Sequence, residues 1–359
     1  MLLAHPSPQI SQLINRGVAL GYLQVNGGKL QEAIETFKAI LKDDKECAIA
    51  YLGLGSAKAM QGDYSGAESD FGLAVKYKPE MADAHKRRGQ TLSAMGKQVE
   101  AVKSILRAIE CDAKSAHEPD PDCFNQLGNL YYKLMRFRQA LNGFLKCLGL
   151  LGNPKKDADG LISARVGGGG VAGLYNMVGL CYSSIGNYDM AKGAFELAIE
   201  IDESKEYHLN LGQLYRDYGR GTAALTCYQK AIALDKTYTS AFYLAGLCFY
   251  GMGRLSECVQ SLMGALRSIQ AGGEEDHQQK TTTGICKSSA NVPAIFHMLL
   301  VSHVGLGDYK TALKMFQVGR RRSLILIDSP VDFGGGIQPF GPATSFFIFL
   351  ILFFFFYFG

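Results

Sequence analysis

One glycine pattern in the middle of the chain has the spacing of a nucleotide-binding loop. Gly168, Gly170 and Gly173 follow the order Gly-x-Gly-x-x-Gly, in which the absence of side chains lets a backbone approach a pyrophosphate at a helix N-terminus. That chemistry also needs a buried strand directly before the glycines. A polar linker precedes Gly168 instead, so we expect no nucleotide and no other cofactor.

The histidines and cysteines do not form a catalytic or metal-binding pattern. His297 and His303 are six residues apart, which misses the i, i+4 spacing of a zinc-binding helix. The nine cysteines contain no Cys-x-x-Cys pair, and no Ser/His/Asp set or pair of carboxylates stands out. We therefore predict no metal ligand and no catalytic residue, and we expect that the protein is not an enzyme. The odd cysteine count favours reduced thiols in the cytosol or nucleus over an extracellular disulfide framework.

Most of the chain is a repeat, which a recurring helix entry reveals. The sequence Gly-Asp/Asn-Tyr occurs at 62–64, 186–188 and 307–309, each time three residues before an alanine. Alignment on this alanine, or on a cysteine in its place, gives the anchors Ala33, Ala67, Ala101, Ala140, Ala191, Ala224, Cys258 and Ala312. Four of the intervals are 33 or 34 residues long, and the other three contain insertions. A period of this length with apolar residues at helical spacing predicts stacked helical hairpins.

This pattern resembles the tetratricopeptide repeat (TPR), and the resemblance covers about residues 14–319. It implies an all-α fold, a superhelical solenoid of seven to eight helix-turn-helix repeats with a non-TPR C-terminal tail. A small residue before the anchor, such as Gly55, would let the paired helices approach, and a bulky residue after it, such as Phe71, would fill the space between neighbours. The position where the family often has Trp is held by aromatic residues or by His85 and His208. We expect these two histidines to be packed in the core.

Three segments also resemble a plant TPR family that suppresses effector-triggered immunity, together with its animal relatives. These segments are residues 27–41, 84–90 and 241–253. The resemblance implies a nucleocytoplasmic adaptor that binds other proteins and regulates the defence response. The insertions and the C-terminal segment depart from that family.

The TPR resemblance also implies where a partner would bind, because the first helix of each TPR repeat lines the concave face of the array. Projecting the repeat onto the chain gives the groove candidates Lys86, Gln90, Asn125, Asn129, Asn176, Asn210 and Gln213. A row of carboxamides can donate to and accept from the main chain of an extended peptide. The alternative is that these polar side chains only keep an exposed face hydrated.

The predicted function is a non-catalytic scaffold or adaptor that binds a partner peptide or helix in this groove, in a signalling or defence-related complex. The cationic clamp of chaperone-binding TPR proteins is not evident, because Gly173 and Met177 stand where the next repeat needs cations. A C-terminal chaperone carboxylate is therefore not the expected ligand.

The amino-acid composition and net charge of the chain are those expected of a globular protein that binds other proteins. Apolar residues make up 47% of the chain and charged residues 19%, which is enough apolar material for a core. The formal net charge of +4 is mild, so we expect no nucleic-acid partner. The N-terminus lacks the features of a signal peptide. We expect a cytoplasmic or nuclear protein.

The repeat and its interruptions predict the segments of the chain. They are a leader (1–13), repeats 1–3 (14–113), repeat 4 with its preceding loop (114–151), a Gly-rich insertion (152–171), repeats 5–7 (172–270), a polar disordered insertion (271–292), a truncated repeat 8 (293–322) and a Phe-rich tail (323–359). Both insertions are expected to be mobile.

The tail has two interpretations. Residues 346–358 are apolar except for Tyr357, so they could anchor the protein to a membrane, although a spanning helix needs about 17–25 residues. Alternatively, the codons for Phe, Leu, Ile and Tyr are T-rich, so this segment could be a translated intron in the gene model. A membrane-tethered TPR protein is the alternative function.

Overall fold

The computed structural model of the chain describes residues 8–115, 119–152, 155–156, 162–163, 168–272 and 292–321. This part is helical apart from one short antiparallel ladder, in which β1 (Lys155–Lys156) pairs with β2 (Ile162–Ser163). The helices are α1 (Pro8–Asn26), α2 (Leu30–Asp43), α3 (Ala48–Met60), α4 (Tyr64–Tyr77), α5 (Ala82–Ala94), α6 (Gln98–Lys114), α7 (Pro121–Lys133), α8 (Phe137–Leu151), α9 (Gly168–Ile185), α10 (Tyr188–Ile201), α11 (Lys205–Asp217), α12 (Gly221–Leu234), α13 (Thr239–Gly251), α14 (Leu255–Gly272), α15 (Val292–Gly305) and α16 (Tyr309–Arg321).

The described helices form two compact units. Unit 1 contains α1–α10, up to Glu203, and unit 2 contains α11–α16, from Ser204. Within each unit an odd-numbered helix packs against the even-numbered helix that follows it, as a hairpin, and consecutive hairpins stack. The predicted all-α TPR fold of seven to eight hairpins is confirmed, with five hairpins in unit 1 and three in unit 2.

The small and bulky positions of the repeat meet inside each hairpin. A Cβ atom added to Gly55 would lie 2.8 Å from the Phe71 ring, and one added to Gly128 would lie 2.6 Å from the Phe144 ring. Phe71 and Phe144 are fully buried. Glycine at these positions therefore gives the ring the space that any other side chain would occupy.

The first hairpin follows the same rule through Gly21. A Cβ atom on Gly21 would lie 2.6 Å from the Phe37 ring, whereas Gly17 lies against Ile40. The same ring also abuts Gly53 of the next hairpin, so Phe37 packs both within and between hairpins.

The recurring Gly-Asp/Asn-Tyr sequence is the turn between paired helices. Gly62 has a φ of +86°, a left-handed conformation that glycine adopts without strain. Asp63 follows as the N-cap of α4, and its carboxylate accepts a hydrogen bond from the Gly66 amide at 2.9 Å. Asn187 caps α10 in the same way, so one short motif ends one helix and begins the next.

Several element bounds differ from the segments expected from the repeat. Helix α1 begins at Pro8, inside the expected leader, and α9 begins at Gly168, inside the expected Gly-rich insertion. That insertion also contains the β1–β2 ladder. Most of the 271–292 insertion and the tail at 323–359 lie outside the described residues. His85 and His208 are buried, with 6% and 2% of their surface exposed, which confirms their packing role.

Candidate functional site

Four pairs of consecutive first helices lie side by side, as a groove requires. In unit 1, α1 contacts α3, α3 contacts α5 and α5 contacts α7. In unit 2, α11 contacts α13. The predicted groove residues are therefore described separately on α5, α7 and α9 in unit 1 and on α11 in unit 2.

Lys86 is held within the protein by two aspartates. Its Nζ lies 2.5 Å from Asp120 Oδ2 and 2.8 Å from Asp122 Oδ2, and only 19% of the side chain is exposed. Burial opposes the positive charge of Lys86, but the hydrogen bonds and charges of the two aspartates outweigh it and raise its pKa. Lys86 therefore joins α5 to the start of α7, and it is not an unpaired cation for a ligand carboxylate.

Asp120 and Asp122 were missed in the sequence prediction of the site. Asp120 is the N-cap of α7, with Pro121 at the first helical position, and its carboxylate accepts a hydrogen bond from the Asp122 amide at 2.9 Å. Burial raises the pKa of Asp120, but the Lys86 ammonium and the Asp122 amide outweigh this effect and lower it. The Asp-Pro pair is a sequence signal for a helix start. Together with Asp122 it places two negative charges where the loop before repeat 4 meets α7.

The two carboxamides on α7 form a pair. Asn129 Nδ2 donates a hydrogen bond to Asn125 Oδ1 at 3.2 Å, and both side chains are half-buried. Gln126, beside them, donates to Asp122 Oδ2 at 2.7 Å. The α7 carboxamides thus adjoin Lys86, Asp120 and Asp122, which we call the Lys86 cluster. Gln90, on the neighbouring α5, is exposed.

The remaining candidates differ from the α7 pair. Asn176 on α9 is buried, with 6% exposed. Asn210 and Gln213 on α11 are half-buried. Leu209 occupies the position in its repeat that Asn125 and Asn176 occupy in theirs, and it is 1% exposed. The half-exposed carboxamide surface is thus centred on α7 in unit 1, and α11 carries a second, smaller set in unit 2.

In unit 2, the helix after α11 that begins a hairpin is α13, and it has aromatic and apolar residues where α7 has carboxamides. Tyr243 and Leu247 of α13 hold the repeat positions of Asn125 and Asn129. Tyr243 is buried and Leu247 is half-buried. The sequence signal is that α13 contains no charged residue, which is typical of a helix with apolar surroundings on every side.

The other sequence candidates form no site in the described residues. Gly168, Gly170 and Gly173 lie in α9 itself and not in a loop after a buried strand. Within the described ranges no group of three or more His, Cys, Asp or Glu residues could hold a metal ion. The eight described cysteines are free thiols, and burial raises the pKa of Cys147 to about 11 and that of Cys181 to about 12. Buried thiols with such pKa values are poor nucleophiles at neutral pH.

No helix in the described part of the chain is both long and apolar enough to span a membrane. Residues 346–358, on which the membrane-tethered alternative depends, lie outside the described residues.

Unit 2 has its own interhelical ion pair, between Lys205 at the start of α11 and Asp235 at the end of α12. The Lys205 Nζ lies 2.6 Å from Asp235 Oδ2 and 4.7 Å from the centre of the Tyr238 ring. Hydrogen bonds from Lys205 and Thr237 lower the pKa of Asp235 to about 2. The Asp235 carboxylate is therefore already bound by Lys205 and Thr237.

We predict that NMR titration of Asp235 gives a pKa of about 2 and that Lys205→Gln raises it towards the ordinary value of about 3.9. Because the folded pKa lies below the unfolded one, this group stabilises the fold fully above about pH 4, and the stabilisation is lost as the pH falls towards about 2. The variant should therefore be less stable than the parent at pH 6, with a difference that shrinks in acid. Lys230→Gln, which removes an exposed charge elsewhere on α12, is the control. An unchanged Asp235 pKa in Lys205→Gln would contradict the assignment.

Family comparisons match three parts of the chain to repeat models. Models described as tetratricopeptide repeat match residues 18–77 and 172–205, and a model described as TPR repeat matches residues 212–253. Among curated proteins, tetratricopeptide repeat protein 13 from Homo sapiens is 25% identical over 141 residues, which is 38% of this chain and 16% of that protein. The match thus spans about a sixth of the length of the human relative.

Solved structures show the same fold at low sequence identity. The C-terminal part of a TPR repeat-containing protein from Cytophaga hutchinsonii is 15% identical with a TM-score of 0.54, covering 74% of this chain and 97% of that one. A tetratricopeptide repeat protein from Parabacteroides merdae is also 15% identical with a TM-score of 0.51, covering 81% of this chain and 99% of that one.

Proposed function

Because the chain is a tetratricopeptide repeat protein, we propose that it is a non-catalytic scaffold that holds a peptide or helix of a partner protein against the first helices of its hairpins. The observation that carries this proposal is the half-exposed Asn125–Asn129 pair on α7. Each carboxamide has donors and acceptors beyond the single bond that joins the two. An extended main chain lying across α7 offers the complementary groups.

The Lys86 cluster supports the same binding surface in a different role. Since Lys86 is engaged by Asp120 and Asp122, it fixes the spacing of α5 and α7 and does not attract an acidic ligand. The partner recognised at α7 is therefore a peptide read through its main-chain amides, and not one read through a terminal carboxylate.

We also propose the kind of complex and the cellular compartment in which the protein acts. A regulatory role in a signalling or defence-related complex, in the cytoplasm or nucleus, is supported by the resemblance of residues 27–41, 84–90 and 241–253 to an immune-regulating TPR family. The eight described cysteines of this chain are free thiols, which is compatible with a reducing compartment.

We predict that Asn125→Ala combined with Asn129→Ala weakens partner binding about tenfold, while helicity measured by circular dichroism stays unchanged. Two or more lost hydrogen bonds of about 0.5–1.5 kcal/mol each account for this effect. The matched control is Gln139→Ala with Asn142→Ala, which removes two exposed carboxamides from the second helix of the same hairpin.

Full-length chains of the parent, the variant and the control would be used for affinity capture followed by quantitative mass spectrometry. Proteins retained by the parent and the control but lost by the Asn125/Asn129 variant are the expected partners, and their dissociation constants would then be measured. Equal recovery of every captured protein by all three chains would refute binding at α7.

A further inference from the structure

A comparison between two hairpins distinguishes a half-buried aromatic ring in unit 2, Phe242, from its buried counterpart in unit 1. Phe124 of α7 and Phe242 of α13 hold the same repeat position. In the α7–α8 hairpin the Lys146 ammonium lies over the Phe124 ring, 5.6 Å from its centre. The equivalent of Lys146 in the α13–α14 hairpin is Gly264. A Cβ atom on Gly264 would lie 2.7 Å from the Phe242 ring, so one edge of the ring packs against the backbone of this glycine, and no side chain from that position lies over the ring.

A pocket of about 320 Å³ occupies this place, and we call it the Phe242 pocket. Besides Phe242 and Gly264, its lining includes Lys236 from the α12–α13 loop and Arg267 from α14. Its volume is in the lower range of ligand pockets, which is about 300–1,000 Å³. The pocket thus combines an aromatic wall with two cationic side chains.

The two cations are available to a ligand. Lys236 and Arg267 are both exposed, and among the described residues neither makes an ion pair. The nearest carboxylate in sequence, Asp235, is bound by Lys205 and Thr237. Two other polar groups of the lining contribute less, since the Thr237 hydroxyl donates to Asp235 and the Ser268 hydroxyl donates to the Ala265 carbonyl. The Gln260 carboxamide completes the polar lining as an uncharged group.

We propose that the Phe242 pocket binds a phosphotyrosine side chain of a partner peptide. The phenyl ring of the ligand would stack against Phe242, as aromatic pairs do at centroid distances of about 4.5–7 Å. Its phosphate, which carries a charge of about −1.5 to −2 at pH 7, would be bound by Lys236 and Arg267. Arginine is suited to this task because its guanidinium donates two parallel hydrogen bonds to phosphate oxygens.

The choice of an aryl phosphate follows from the combination of groups. A carboxylate would leave one of the two cations uncompensated, and an alkyl phosphate such as phosphoserine would leave the Phe242 ring without a stacking partner. A nucleotide also carries an aromatic group and a phosphate, so it is the competing ligand that the test must separate. The Phe242 pocket lies in unit 2 and the Asn125–Asn129 pair in unit 1, so this inference is independent of the groove on α7.

The test is fluorescence anisotropy of the full chain with a labelled Gly/Ser peptide that contains one phosphotyrosine. Lys236→Gln and Arg267→Gln should each weaken binding about tenfold, as expected for a lost charge-assisted contact. Lys230→Gln, which removes an exposed charge at the repeat position of Gly264 on α12, should leave it unchanged. Gly264→Lys should block binding, because its Cβ would lie 2.7 Å from the Phe242 ring and would displace the ring from the pocket wall. Because Lys236 and Arg267 are exposed, thermal unfolding should show that their variants remain folded.

Competition with defined compounds separates the ligand classes. Phenyl phosphate should displace the peptide, and the phosphoserine and unphosphorylated tyrosine versions should bind at least about tenfold more weakly. Asn125→Ala with Asn129→Ala should not affect binding. Equal affinity for phosphoserine would overturn the role of Phe242, and tighter binding of adenosine monophosphate than of phenyl phosphate would identify a nucleotide pocket. The absence of binding at millimolar peptide would refute the proposal.

Discussion

Replacing Phe144 by alanine should lower the free energy of unfolding by about 3–5 kcal/mol, the usual cost of removing a fully buried aromatic side chain. Phe144 has no exposed surface and fills the space between α7 and α8, directly against Gly128. Urea unfolding followed by circular dichroism measures the change. Leu145→Ala on the same helix is the control, because Leu145 is 44% exposed and should cost less than about 1 kcal/mol.

Because Phe144 packs on Gly128, we predict that the effect of Gly128→Ala on stability depends on whether Phe144 is present, which a double-mutant cycle measures. Gly128→Ala in the parent should destabilise by about 1–3 kcal/mol, because the new Cβ would lie 2.6 Å from the ring and the core would be overpacked. In the Phe144→Ala background the ring is gone. The same substitution should then be neutral or stabilising by up to about 1 kcal/mol, since alanine favours a helix more than glycine does. A destabilisation of equal size in both backgrounds would show that the glycine is required for another reason.

This pairing is also why so much of the fold was accessible from the sequence. The small and bulky positions, such as Gly128 and Phe144, recur at fixed distances from the anchor, because every hairpin solves the same packing problem. The helix turns were equally accessible, since Gly62 and Asp63 end one helix and cap the next through contacts that span only a few residues. Packing contacts that recur in every repeat, and turns formed by neighbouring residues, can therefore be predicted from the sequence.

The candidate site was less accessible because its residues depend on neighbours from other hairpins. Lys86 has the right repeat position for a groove, yet its charge is taken up by Asp120 and Asp122, which lie beyond an insertion of irregular length. Asn176 shares the repeat position of Asn125 but is buried. Several of its neighbours on α9, such as Val178, are buried as well. Repeat position predicts the helix and the approximate face of a residue, whereas its exposure and charge partner are set by contacts that no single repeat contains.

The Lys58–Asp70 ion pair shows how strongly such a contact can matter. Lys58 of α3 and Asp70 of α4 join the two helices of one hairpin, with Nζ 2.6 Å from Oδ2, and their side chains are 23% and 9% exposed. Burial raises the pKa of Asp70, and the hydrogen bond and charge of Lys58 oppose that rise. Lys58→Met would leave a buried carboxylate without its counter-ion, so we predict a loss of about 3 kcal/mol at pH 7. Lys103→Met, which removes an exposed cation from α6, should cost far less.

The dependence on pH distinguishes an unpaired charge from lost packing. A buried acid whose folded pKa lies above the unfolded value binds its proton more tightly in the fold, so the fold gains stability as the pH falls through that pKa. Without Lys58 the pKa of Asp70 should rise further, and the difference between Lys58→Met and the parent should shrink as the pH falls from 7 towards 4. Adding Asp70→Leu should restore most of the stability at pH 7, because replacing both members of a buried pair by apolar groups is often neutral. Urea unfolding at pH 7 and pH 4.5 measures both effects. A loss that is the same at the two pH values, and that Asp70→Leu does not relieve, would mean that the methylene chain of Lys58, and not its charge, holds α3 against α4.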